Sequence, residues 1–126
     1  MDKKKIAFIC VHNSCRSQIA EALGKHFAGD KFDFYSAGTE IKSQINQDAV
    51  RLMKQLYGID IEQSQYSKTI DEIPFPDIAI SMGCDVECPY IGRAFNDNWK
   101  LDDPTGKNDE CFMQVIEEIA QRIKNL

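Results

Sequence analysis

Cys10 is followed six residues later by Arg16 and then by Ser17, in the run Cys10-Val11-His12-Asn13-Ser14-Cys15-Arg16-Ser17. A loop of this length can curl around a small oxyanion and aim successive backbone N–H groups at it. A helix starting at its far end adds partial positive charge. Arg16 offers a planar fork of donors matched to two oxyanion oxygens. Cys10 would then lie beneath the central atom, in electropositive surroundings that favour the nucleophilic thiolate. Ser17 can donate a hydrogen bond to that sulfur, both as nucleophile and as leaving group. Asn13 suits a loop position that needs positive φ. The plain alternative is that Cys10 merely ends a buried strand and Arg16 decorates the surface. Position decides against it, because the run stands between a predicted strand and a predicted helix. Neither G-x-x-x-x-G-K-[ST] nor G-x-G-x-x-G occurs, so other phosphate loops are excluded.

Displacing an oxygen leaving group calls for a proton donor. Leu101-Asp102-Asp103-Pro104 supplies two carboxylates late in the chain. Asp103, restrained before a proline, is the better candidate for the acid, although such sequences are commonly turn starters. The remaining cysteines are Cys15, Cys84, Cys88 and Cys111. Cys15 is expected to point into helix packing, and Cys111, at core spacing on the last helix, to be buried. Neither His12 nor His26 has zinc-finger spacing from a cysteine pair, so no metal is expected. His12 shapes the loop entrance in this reading, and a general base is not required.

These residues need a frame to hold them. Ile6 to Cys10 is continuously apolar, as expected of a central parallel strand buried on both faces. Ile19, Ala20, Leu23 and Phe27 then mark a helix stopped by Gly29. Phe32 to Ala37 is predicted as a second strand. A second helix is predicted from Asn46, its cap, to Tyr57, with Ala49, Val50, Leu52, Met53 and Leu56 inward and Gly58 as terminator. Between Ile59 and Pro76 one short helix is expected near Ser67, because Pro74 and Pro76 bar a longer one. Asp77 to Met82 gives a third strand, and Arg93 to Trp99 contains a short fourth. Asp109 to Lys124 closes as a helix with Phe112, Met113, Val115, Ile116, Ile119, Ala120 and Ile123 inward. Trp99 is expected to pack beneath the Asp103 loop. The order implies an α/β sandwich, a four-stranded mostly parallel sheet flanked by helices on both faces.

The chain of 126 residues has room for one hydrophobic core, so residues 1–126 read as one domain. Its net charge of −5 argues against general nucleic-acid or anionic-membrane binding, which need a basic face. It leaves room for one small anion in a local pocket. No apolar run approaches the ~20 residues that span a bilayer. The run behind Met-Asp-Lys-Lys-Lys is shorter than the ~7–15 residues of a signal-peptide core. A cytoplasmic monomer is expected. In a reducing compartment five cysteines are not a disulfide framework.

The Cys10–Ser17 loop with Asp103-Pro104 late in the chain resembles the low-molecular-weight protein tyrosine phosphatase fold. Asn13 to Gln18, Tyr35-Ser36-Ala37-Gly38 and Trp99 to Gly106 are similar to the thioredoxin-coupled arsenate reductases. The resemblance spans essentially the whole chain. It implies that Cys10 attacks arsenate, Arg16 holds it and Asp103 protonates the leaving oxygen. It further implies that Cys84 and Cys88 carry the oxidation outward to thioredoxin. Here the pair is Cys84-Asp85-Val86-Glu87-Cys88, closer-set than in many relatives. On a helix that offset puts both on one face, with α-carbons ~6 Å apart, within disulfide reach.

Some members bind potassium through residues matching Asn13, Glu21 and Ser36 plus an aspartate. Tyr66-Ser67-Lys68 stands here without that carboxylate, so neither metal nor cofactor is expected, and Glu21 is expected to hold the loop by hydrogen bonds. The second reading is a tyrosine phosphatase acting through a Cys10 phosphocysteine. Phosphatases of this fold usually carry aromatic residues after the Asp-Pro, where Thr105-Gly106 stand here, and they have no need of Cys84 and Cys88. A redox-sensing module is a third reading, and no partner surface in the sequence supports it.

Overall fold

The computed structural model describes residues 3–10, 12–40, 44–83, 95–102 and 104–126. Strand β1 (Lys4–Ile9) lies between β2 (Phe32–Ala37) and β3 (Ile78–Ser81), and β4 (Asp97–Asn98) adds outside β3. All pairings are parallel, in the order β2-β1-β3-β4. Ile6, Ala7, Phe8 and Ile9 are all at most 1% exposed, which is why their sequence shows no polar alternation. Ile6 and Phe8 face the main core, and Ala7 and Ile9 face a smaller cluster with Ala37, Ile70, Ile73 and Phe95.

The register brings Ile9, Ala37 and Ser81 level at the carboxyl edge. Pairing continues past the strands there. Cys10 N–H donates to Ala37 O (3.2 Å), Met82 N–H to Ile9 O (3.0 Å) and Leu101 N–H to Met82 O (3.1 Å). From β1 the chain goes first to β2 on one side and later to β3 on the other. Cys10 therefore leaves the sheet at its topological switch point, where open parallel sheets bind ligands.

Helix α1 (Arg16–Ala28) follows the loop, and α2 (Gln47–Tyr57), the single turn α3 (Ile61–Ser64) and α4 (Asp109–Lys124) complete the α-helices. Helices α1, α2 and α4 contribute to the main core, and a 3-10 turn (Ile70–Glu72) packs on the smaller cluster. Asn46 caps α2 as expected, its Oδ1 accepting from the Asp48 and Ala49 N–H groups, and Gly58 ends it at φ +70°. Arg51 of α2 donates to both Asp109 oxygens (3.1 and 2.7 Å), tying α2 to α4. Phe8 stacks on Phe34 (5.9 Å) and tilts against buried Trp99 (5.3 Å).

Three sequence expectations need correction. Leu56 and Met113 are exposed, at 43% and 36%, because each lies at the margin of its helix's apolar stripe. Cys111 is half-buried in the first turn of α4, not in the core. No helix forms at Ser67. The backbone of Tyr66 to Lys68 spends its hydrogen bonds elsewhere, with Lys68 O accepting from Gly38 N–H (2.9 Å) and Lys68 N–H donating to the Asn13 side chain (2.9 Å). The helical turns fall on either side, the second fixed by a Thr69–Glu72 capping box. Among the described residues no helix is long and apolar enough to cross a membrane.

Candidate functional site

Cys10 directly follows β1 and is almost completely buried, with its Sγ 2.9 Å from Ser17 Oγ. Asn13 N–H donates to the same sulfur at 3.3 Å. Asn13 Nδ2 donates to Ser17 Oγ (2.9 Å), which leaves the serine's own proton to be directed at sulfur. The sulfur thus faces two donors at the head of α1, whose first turn carries no acidic residue. Such an end favours negative charge through its dipole.

Asn13 adopts φ +49°, as expected for an asparagine at a left-handed loop position. It is completely buried, and every polar group it presents is engaged. Its Oδ1 accepts from Gln18 Nε2 (2.9 Å) and Lys68 N–H (2.9 Å). Its carbonyl accepts from Gln18 Nε2 (3.0 Å) and Ser67 Oγ (2.9 Å). Gln65 in turn fixes Gln18, donating to its Oε1 (2.7 Å) and its carbonyl (3.0 Å).

Arg16 is the first residue of α1. Its Nη1 lies within 3.2 Å of Met82 O, 2.9 Å of Gly83 O and 2.8 Å of Leu101 O. This carbonyl cradle fixes one prong of the guanidinium at the carboxyl end of β3. It also fixes where two chain segments depart, since Gly83 precedes Cys84 and Leu101-Asp102 precede Asp103. Cys84, Cys88, Asp103 and Val11 themselves lie outside the described residues.

Gly83 has φ +105°, and a Cβ there would meet the backbone N and O of Leu101 at 2.9 Å. Gly83→Ala should therefore lower stability by about 1–3 kcal/mol, read as a shifted denaturation midpoint. An unchanged midpoint would mean that the cradle yields without cost.

Ser14 is buried, and Cys15 joins the main core at 4% exposure. His12 is exposed, its Nδ1 2.8 Å from Glu40 O. Asp102 is exposed, and Asp102 and Pro104 share the lining of a surface cavity with the half-buried Cys111. Glu21, expected to hydrogen-bond the loop, is instead engaged by Ser36 Oγ (2.5 Å), Lys25 Nζ (2.5 Å) and Lys68 Nζ (3.2 Å). The sequence reading missed Gln65, and it named Tyr66-Ser67-Lys68 only for lacking a carboxylate, not for supporting the loop. They lie some fifty residues from the loop, and no local spacing relates them to it.

The arrangement is a buried sulfur at the switch point of a parallel sheet, facing inward donors and a helix start. It can hold a tetrahedral anion against a thiol. Comparison with known proteins points the same way. The family model for low molecular weight phosphotyrosine protein phosphatases matches residues 5–126. Arsenate reductase 2 of Staphylococcus saprophyticus is 39% identical over 130 residues, covering 98% of this chain and 96% of that one. An arsenate reductase solved in its phosphate-binding state superposes with a TM-score of 0.84 at 34% identity, covering 97% of this chain and 95% of its own. A thioredoxin-dependent arsenate reductase of Corynebacterium glutamicum superposes at 0.74 with 35% identity, over 98% of this chain and 59% of its own. The chain belongs to the low molecular weight phosphotyrosine protein phosphatase family, in the group that includes the arsenate reductases.

Proposed function

We propose that this protein reduces arsenate to arsenite and is recycled by thioredoxin, with residues 1–126 working as one domain. The observation that carries the reading is the Cys10 sulfur set between Ser17 Oγ and Asn13 N–H at the head of α1. Full-length similarity to arsenate reductases supports the substrate. The similarity to a thioredoxin-dependent enzyme supports the reductant.

In this mechanism the loop from Val11 to Ser17 binds arsenate through its N–H groups and Arg16. The Cys10 thiolate attacks arsenic, and the displaced oxygen leaves as water with a proton from Asp103. Cys84 then attacks the Cys10 sulfur. A Cys10–Cys84 disulfide forms, the electron pair of the S–As bond stays on arsenic, and As(V) leaves as As(III) in arsenite. Cys88 next attacks Cys84, releasing the Cys10 thiolate and leaving a Cys84–Cys88 disulfide. A thioredoxin dithiol reduces that bond by exchange and is itself oxidised.

The test is thioredoxin-dependent NADPH consumption with arsenate, run beside p-nitrophenyl phosphate hydrolysis on the same preparation. Arsenate-dependent consumption supports the reductase. Ester hydrolysis without it supports a phosphatase working through a Cys10 phosphocysteine. For the acid, Asp103→Asn should lower kcat by about 10²–10⁴-fold with little change in stability, and Asp102→Asn by much less. Equal losses in the two variants would contradict the assignment of Asp103.

A further inference from the structure

Lys68 is a lysine buried under the loop, its side chain 9% exposed. Its ammonium faces three oxygens from three parts of the fold. They are Glu21 Oε1 of α1 (3.2 Å), Tyr66 O of its own segment (3.2 Å) and Ser36 Oγ of β2 (3.5 Å). An ammonium has three N–H donors, so the set matches its capacity. Glu21 is itself 4% exposed and also accepts from Ser36 Oγ. A charge pair this deep is costly unless each partner is met, which argues for a specific role rather than a chance surface contact.

What Lys68 holds together is the segment that grips the loop. Tyr66 O, one of its three acceptors, also accepts from Gln18 Nε2 (2.9 Å), which donates to Asn13. Ser67 Oγ and Lys68 N–H donate to Asn13 directly. Asn13 in turn orients both donors at the Cys10 sulfur, through its own N–H and through Ser17 Oγ. The path from the buried ammonium to the reacting sulfur is therefore continuous. It runs through an asparagine held at φ +49°.

We infer that Lys68 is a positioning residue, a tethered cation that clamps the 66–68 segment onto Asn13 and so holds the anion loop ready to bind. It touches neither substrate nor sulfur. The inference rests on the loop's reading as the anion site and not on the redox steps that follow binding.

The decisive property is a small cation at that spot, so a diffusible one should substitute for it. Lys68→Ala should weaken inorganic phosphate binding, and arsenate turnover at limiting arsenate, by about 10-fold or more, as loss of a supporting shell does. Adding methylammonium chloride should restore most of both. Tetramethylammonium chloride at equal ionic strength, too large for the vacated position, should restore neither. Thermal unfolding is followed in every sample. If Lys68→Ala does not fold, Lys68→Met and Lys68→Arg are compared instead, the neutral variant losing phosphate affinity and the cationic one keeping more of it. Parent-like phosphate binding by Lys68→Ala or Lys68→Met, or equal rescue by the two salts, overturns the inference. Phosphate binding separates this outcome from the functional proposal. If the parent binds phosphate but leaves arsenate unreduced, the reductase reading fails and the role of Lys68 is still measured.

Discussion

Cys10→Ser should abolish arsenate reduction and any phosphate-ester hydrolysis together, while oxyanion binding persists. The reason is chemical. A serine hydroxyl at the end of β1 keeps the loop's size and hydrogen bonds, but it is a far weaker nucleophile and cannot form a disulfide. In the proposed mechanism binding depends on backbone N–H groups, Arg16 and the start of α1, none of which the substitution removes. The expected loss of turnover is total within the sensitivity of the coupled assay, with inorganic phosphate still bound in a calorimetric titration. Turnover of either substrate by the variant would place the nucleophile elsewhere.

The second large effect separates two chemistries that share a loop. Reducing arsenate takes two electrons, and Cys10 alone cannot deliver both and reset itself. Cys84→Ser should trap the reaction at the Cys10–arsenate adduct. Cys88→Ser should stop it one step later, at a Cys10–Cys84 disulfide beneath the anion loop, where a bulky reductant has poor access. Both variants should lose multiple turnover of arsenate. Phosphate-ester hydrolysis, which needs no electron transfer, should be spared in both. If both still couple thioredoxin oxidation to arsenate at the parent rate, the cascade is wrong and the phosphatase reading gains.

The parts of the architecture legible in the sequence were those written locally. The apolar run before Cys10 suited a central strand buried on both faces, and the structure buries Ile6 to Ile9 in the centre of the sheet. Asn13 signalled positive φ by its type and adopts +49°. Asn46 and Gly58 bracket α2 because one side chain accepts from free N–H groups and the other residue tolerates αL. Periodicity failed where a stripe ends, at Leu56 and Met113, because it locates a face but not the edge of its partner. The support beneath the loop was legible only in part, since the resemblance set Tyr66-Ser67-Lys68 beside Asn13, Glu21 and Ser36 without saying what that stretch holds. Gln65, Ser67 and Lys68 read as polar residues in an irregular stretch, and only the return of that stretch alongside Gly38 puts them under Asn13. A buried lysine contradicts its own residue statistics, so nothing in its type announces it.

The claim that this loop drives a reductive cascade is tested most directly by counting thiols after one turnover. Fully reduced protein is mixed with an excess of arsenate in the absence of thioredoxin. Free thiols and released arsenite are then quantified, and the disulfide is located by peptide mass mapping. One arsenite per chain, loss of two thiols, and a Cys84–Cys88 disulfide with Cys10 still titratable are expected. No arsenite and an undiminished thiol count would contradict it.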